Sequence, residues 1–182
     1  VKQILSFGRK SSQVEPLIPS VIVKEVIKLM SASLPSTIEI QEEIDSECGC
    51  ILADPTELHQ LLVNLCTNAF HAMSDEKGVL KITLAKQNLT KKKVDGETIK
   101  PGSFIVISVS DTGVGMTTAA QKRMFEPYFT TKEIGKGTGM GLAIVHGIVK
   151  SYGGMVKVES KVGKGSTFSL YFPAVVEKKA PE

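Results

Sequence analysis

Two asparagines four residues apart, Asn64 and Asn68, stand in a stretch of apolar helical spacing, "ELHQLLVNLCTNAFHAM". Asparagine is a mediocre helix former, so the pair asks for a reason. On a helix, Glu57, Asn64, Asn68 and His71 share one stripe, at steps of seven, four and three. Leu58, Leu62, Leu65, Ala69 and Ala72 lie largely on the other side. Plain solvent exposure accounts for most polar stripes. The two amide oxygens also suit a hard cation such as Mg²⁺, which takes oxygen ligands and shares them with phosphates. Further along, "SVSDTGVGM" ends an apolar strand on Asp111. A carboxylate buried there requires a partner. It can accept a hydrogen bond from an exocyclic amine, while Gly113 and Gly115 let a flat ring lie close.

The third feature is "GKGTGMGLAIVHGIVKSYGG", with glycine at 135, 137, 139 and 141 ahead of an apolar helix. Each glycine destabilises regular structure by roughly 0.5–1 kcal/mol relative to alanine. Such a run therefore implies either close approach of another group or a loop that moves. It is not the phosphate loop G-x-x-x-x-G-K followed by Ser or Thr, and no G-x-G-x-x-G window is completed. The loop nevertheless ends at a helix N-terminus, where unpaired N–H groups and the helix dipole favour an anion. A flexible linker is the competing reading, and the glycines alone do not separate the two. Last, "GKGSTF" brings Gly163, Gly165, Ser166 and Thr167 into the final strand, with hydroxyls able to bond a base or a structured water.

These groups need elements to hold them. Asp54 is a good N-cap, Pro55 suits the first helical position, and Glu57 three residues after the cap completes a capping-box pattern, so a helix runs from about 55 to 73. Val23, Val26, Ile27 and Met30 mark a helix over 20–31, preceded by an extended "EPLIPS" held out of helix by its prolines. "STIEIQEEI" and "CGCILA" read as two strands of a hairpin-like pair, and "GVLKITLAKQNLT" and "GSFIVISVS" as strands joined by a polar loop tip. A short helix follows near 117–124. Leu142, Val145, Ile148, Val149 and Tyr152 share one face of a helix over about 139–152 that stops at Gly153, and "GMVKVES" with "GSTFSLYFP" forms a closing hairpin. The fold class is α/β: a two-layer sandwich, a mixed sheet with helices on one face.

The bulk numbers agree with one domain plus a short extension. The chain has 182 residues, 42% apolar and 23% charged, with a net charge of +3. That charge is too weak to argue for nucleic acid, and no apolar run has the length of a membrane span. Three cysteines, two of them in a Cys-x-Cys placed in a strand, read as reduced thiols of a cytosolic domain.

Taken in order, the motifs closely resemble the ATP-binding catalytic domain of sensor histidine kinases in the GHKL superfamily. "NLCTNAFHAM" resembles the N box, "DTGVGM" the G1 box, "FEPYFTTK" the F box, "GKGTGMGL" the G2 box and "GKGSTF" the G3 box. The resemblance implies the Bergerat ATP-binding fold, with ATP and Mg²⁺ as ligands. By position it assigns Asn64 to Mg²⁺ and catalysis, and Asn68 and His71 to the phosphates. Asp111 would read the adenine amino group, flanked by Gly113, Gly115 and Met116. Gly137, Thr138, Gly139, Met140, Gly141 and Leu142 would wrap the phosphates. Phe125, Phe129 and Lys132 belong to the lid side, Lys132 as a second catalytic candidate, and Ser166 and Thr167 to the base. Two positions depart from the pattern: Ser166 replaces the usual Thr, and His71 stands where Lys or an acid is common, so its phosphate contact depends on protonation.

Within that superfamily the hydrolytic relatives (heat-shock chaperones, gyrase, mismatch-repair ATPases) place a Glu where Asn64 stands. Asparagine cannot activate water, which favours a kinase over a GHKL ATPase; an anti-sigma-type serine kinase, the other alternative, shares the asparagine, and the N-terminal stub "ILSFGRK" favours a histidine kinase over it. None of His59, His71 and His146 stands in the family's phosphoacceptor pattern. The resemblance therefore implies transfer to a histidine of a separate dimerisation and phosphotransfer domain, and onward to a response-regulator receiver domain, in the cytoplasm. Residues 1–12 resemble the end of that domain's second helix, 13–176 the catalytic domain, and 177–182 a polar tail; no nucleic-acid or membrane contact is expected of them.

Overall fold

The computed structural model describes residues 13–73, 77–90, 92–94, 97–99, 101–131 and 138–175. The expected helix end at 1–12, Lys132, Gly137 and the tail at 177–182 lie outside them.

A short strand β1 (Glu15–Leu17) leads into α1 (Pro19–Ser33). Pro19 opens this helix rather than prolonging the extended stretch, because its fixed φ and missing N–H suit the first helical position. β2 (Ile38–Ile44), β3 (Ile51–Ala53), α2 (Pro55–Met73), β4 (Gly78–Leu89), the short pair β5 (Lys92–Val94) and β6 (Glu97–Ile99), and β7 (Gly102–Asp111) follow. Then come α3 (Thr118–Arg123), α4 (Gly141–Ser151), β8 (Met155–Lys161) and β9 (Gly165–Pro173).

The main sheet has strand order β2-β4-β7-β9-β8, with β2 parallel to β4 and the remaining pairs antiparallel. One expectation fails here: β2 and β3 are not a hairpin. β2 pairs with β4 from Ile38↔Gly78 to Ile44↔Leu84, and β3 pairs with β1. Parallel neighbours need a crossover, and α2 supplies it. Cys48 and Cys50 accordingly lie in the turn before β3, not in a strand. The polar loop tip between β4 and β7 carries the β5–β6 pair. All three cysteines are free thiols, and burial pushes Cys66 up to about 12.

The core lies between the sheet and α1, α2 and α4. Leu58, Leu61, Leu62 and Leu65 of α2 and Val145 and Val149 of α4 pack on Leu80, Ile82, Ile105, Ile107, Leu170 and Phe172 of the strands. The other sheet face holds a small cluster of Phe104, Val106 and Met155, and hydroxyl pairs Ser108–Ser169 and Ser110–Thr167. The helices thus cover one face of a mixed sheet. Among the described residues no helix is long and apolar enough to cross a membrane.

Candidate functional site

α2 starts where its cap dictates. Asp54 Oδ1 accepts the Thr56 and Glu57 N–H groups at 2.7 and 3.4 Å, and Oδ2 accepts the Gln13 N–H at 3.0 Å. Burial pushes this carboxyl up, but the three amide donors outweigh it and hold it below the usual range. Glu57 does not close the capping box on the Asp54 N–H. Tyr152, just past α4, stands between them: its oxygen accepts the Asp54 N–H at 3.1 Å and its hydroxyl donates to the Glu57 carboxylate.

Two turns on, Asn64 and Asn68 are half-buried beneath the first residue of α4. A Cβ placed on Gly141 would lie 3.8 Å from Asn64 Oδ1 and 3.7 Å from Asn68 Nδ2. The first turn of α4 therefore lies against the asparagine pair, and a helix N-terminus beside two amide oxygens suits an anion with an oxygen-liganded cation. Among the described residues no group of three or more His, Cys, Asp or Glu converges on a metal. The donor set thus fits a cation that brings phosphate oxygens with it.

The opposite end of the site is built by β7, β9 and the turn after Asp111. Asp111 is 7% exposed, and its Oδ1 accepts the Gly113 N–H at 2.8 Å. Burial pushes its pKa up, opposed by the amides of Gly113 and Ser166. The two glycines of this turn are required by the protein's own backbone. A Cβ on Gly113 would overlap the Ala72 carbonyl of α2, and Gly115, at φ 67°, sits against the Lys161 carbonyl. Ser166 is paired with Asp111 across β7 and β9 and is buried on the same side. Thr167, expected beside it, is turned by the pleat to the outer face, where its hydroxyl lies 2.8 Å from Ser110 Oγ.

A cavity of about 520 Å³ joins the two ends. Of the sequence candidates, Asn64, Asn68, His71, Asp111, Gly115, Met116, Phe129, Thr138, Gly139, Gly141, Leu142 and Ser166 line it; Gly113, Met140 and Thr167 do not. Met140 instead caps α4, its N–H 3.3 Å from Thr138 Oγ1. The flanks of the glycine loop are tied together: the Tyr128 N–H donates to the Gly139 carbonyl at 3.0 Å, both residues having φ 65°. Phe125 faces away from the cavity and stacks on His146, ring centroids 4.6 Å apart. Sequence reasoning missed Thr67, Val109, Met124 and Phe168 in the lining. Thr67 was legible, three residues from Asn64 on the same stripe, and Phe168 shares strand parity with Ser166.

Residues 53–176 match the family described as histidine kinase-, DNA gyrase B-, and HSP90-like ATPase. Sensor kinase CckA of Brucella abortus (strain 2308) is 35% identical over 98% of this chain and 19% of its own length. Sensor histidine kinase ZraS of Escherichia coli (strain K12) is 40% identical over 72% of this chain and 25% of its own. The chain thus spans a quarter or less of these curated relatives. Among solved structures, full-length ShkA in complex with AMPPNP superposes with a TM-score of 0.68 at 31% identity, covering 88% of this chain and 31% of that one. The nucleotide-free catalytic domain of histidine kinase ThkA gives 0.70 at 26%, covering 88% and 95%. This chain belongs to the histidine kinase-, DNA gyrase B-, and HSP90-like ATPase family and, within it, to the ATP-binding catalytic domains of sensor histidine kinases.

Proposed function

We propose that this chain binds ATP with Mg²⁺ and donates the γ-phosphoryl group to a histidine of a separate phosphotransfer domain in the same larger kinase, which in turn serves a response-regulator receiver domain in the cytoplasm. Residues 13–176 form the catalytic domain in this reading, with 1–12 the end of a phosphotransfer helix and 177–182 a tail. The observation that carries it is the single cavity with Asp111 at one end and Asn64, Asn68 and the α4 N-terminus at the other. Bound ATP and its cation supply the phosphoryl group and spread its charge; the protein's share is positioning and electrostatics. Asp111 and Ser166 orient the base. The N–H groups at Gly141 neutralise phosphate charge, and the Asn64 amide oxygen would hold the cation. Asp111 is the one carboxylate among the described residues lining the cavity, and it stands at the base end. Glu57 is engaged by Tyr152. With no carboxylate among the described residues at the phosphate end of the cavity to deprotonate water, ATP in this reading persists until a histidine arrives.

Radiolabelled ATP tests this directly. The chain alone should bind ATP, remain unlabelled and release little phosphate. Adding a histidine-bearing helical phosphotransfer domain should give acid-labile label on that domain. Steady phosphate release without a recipient would instead support a hydrolase, and label on serine of an added protein a serine kinase.

A further inference from the structure

The pairings Asp111↔Ser166 and Ser166↔Ser160 set one residue each from β7, β9 and β8 in a row across the sheet. Ser160, at the edge, does not line the cavity, yet its hydroxyl meets three groups that build the base end. It accepts the Met116 N–H at 2.8 Å and lies 2.9 Å from Ser166 Oγ and 3.2 Å from the Gly165 carbonyl oxygen. From α3, the Gln121 amide donates to the carbonyls of Met116 and Ser160, each at 3.1 Å. Met116 thus has its N–H held by Ser160 and its C=O held by Gln121.

We infer that Ser160 is a positioning residue for the base end of the nucleotide site, acting through Met116 and Ser166 with Gln121 beside it; this rests on the ATP-binding reading above. A serine hydroxyl has one proton and two lone pairs. Ser160 uses a lone pair on the Met116 N–H. If its proton goes to the Gly165 carbonyl, Ser166 donates to Ser160 and offers the cavity only lone pairs. If its proton goes to Ser166 Oγ, the Ser166 proton is released toward the cavity. Ser160 therefore sets whether Ser166 stands beside the acceptor Asp111 as a donor or as a second acceptor. An adenine edge presents an amino donor next to a ring-nitrogen acceptor. It matches Asp111 as acceptor and Ser166 as donor, directly or through a water. Without the Ser160 hydroxyl, Ser166 loses this constraint and the Met116 N–H loses its partner.

Calorimetry on the whole chain tests this with two nucleotides: ATP, and its deaza analogue in which the acceptor nitrogen next to the amino group is a C–H. Ser160→Ala should weaken ATP about tenfold and the analogue by less than about threefold, shrinking the preference between them. Ser160→Thr, which keeps the hydroxyl, should restore both the affinity and the preference. Gln121→Ala should weaken both nucleotides alike, since it holds only the backbone carbonyls of Met116 and Ser160 and leaves the Ser160–Ser166 hydroxyl pair in place. Wild-type ATP affinity in Ser160→Ala overturns the inference. So does an equal loss for both nucleotides, or failure of Ser160→Thr to restore the preference. If the unaltered chain binds no ATP, the functional reading itself falls, and that outcome is distinct from the others.

Discussion

Asp111 presents acceptors on both carboxyl oxygens only while ionised, and burial makes ionisation harder there than on the surface. A proton on this carboxyl puts an O–H donor against the exocyclic amine it would read. ATP affinity should therefore fall as pH is lowered, beginning above the ordinary aspartate range because the pKa is raised. Asp111→Asn should lose about 1–3 kcal/mol of binding at neutral pH and flatten that response; calorimetry across pH measures both, and the comparison cancels titration of the base itself. The neighbouring hydroxyls make a sharper pair. Ser166 and Thr167 are equivalent as donors in the sequence, yet only Ser166 reaches the cavity. Ser166→Ala should weaken ATP binding by about 1 kcal/mol, while Thr167→Val should change it by less than about twofold. The distinction was legible. Phe168, Leu170 and Phe172 share the parity of Ser166, and a strand that buries those three must bury Ser166 with them.

At the scale of elements, α2 and α4 hold the site between them, and their far ends are joined by Tyr152. Burial and the Glu57 hydrogen bond push the Tyr152 hydroxyl up to about 12, so the link stays intact through neutral pH. Tyr152→Phe leaves the Asp54 N–H and the Glu57 carboxylate without this partner and should reduce stability by about 1–3 kcal/mol in urea unfolding, with the slope unchanged. A loss below about 0.3 kcal/mol would mean that water replaces the hydroxyl at both groups. The bounds of α2 and α4 were readable because their signals are local: Asp54 and Pro55 start one, and Gly153, at φ 68°, stops the other. The partner of β2 was not. Its pairing with β4 spans α2, and "STIEIQEEI" carries no residue that distinguishes a parallel neighbour from the nearer "CGCILA". Likewise Glu57 advertised a capping box, while the tyrosine that displaced it lies 95 residues away.

Across the whole molecule, two buried aspartates pull stability in opposite directions. Asp54 has a lowered pKa, so its contribution is present above the unfolded value of about 3.9 and is lost as pH falls through the folded one. Asp111 has a raised pKa, so its contribution is complete below the unfolded value and is lost as pH rises through the folded one. At neutral pH the empty protein therefore carries a charge at Asp111 that folding disfavours, and a ligand donor is what offsets it. Asp111→Asn removes that charge but keeps an oxygen for the Gly113 N–H. The variant without nucleotide should melt at or above the wild-type temperature at neutral pH. ATP at about a hundred times its Kd should stabilise the wild type by about 2.7 kcal/mol, and at the same concentration it should stabilise the variant much less, so the order of the two melting curves reverses on adding nucleotide. Scanning calorimetry with and without ATP and Mg²⁺ reads this reversal. A variant that melts lower when empty, yet gains as much from nucleotide as the wild type, would show that Asp111 holds the fold together rather than reading the base.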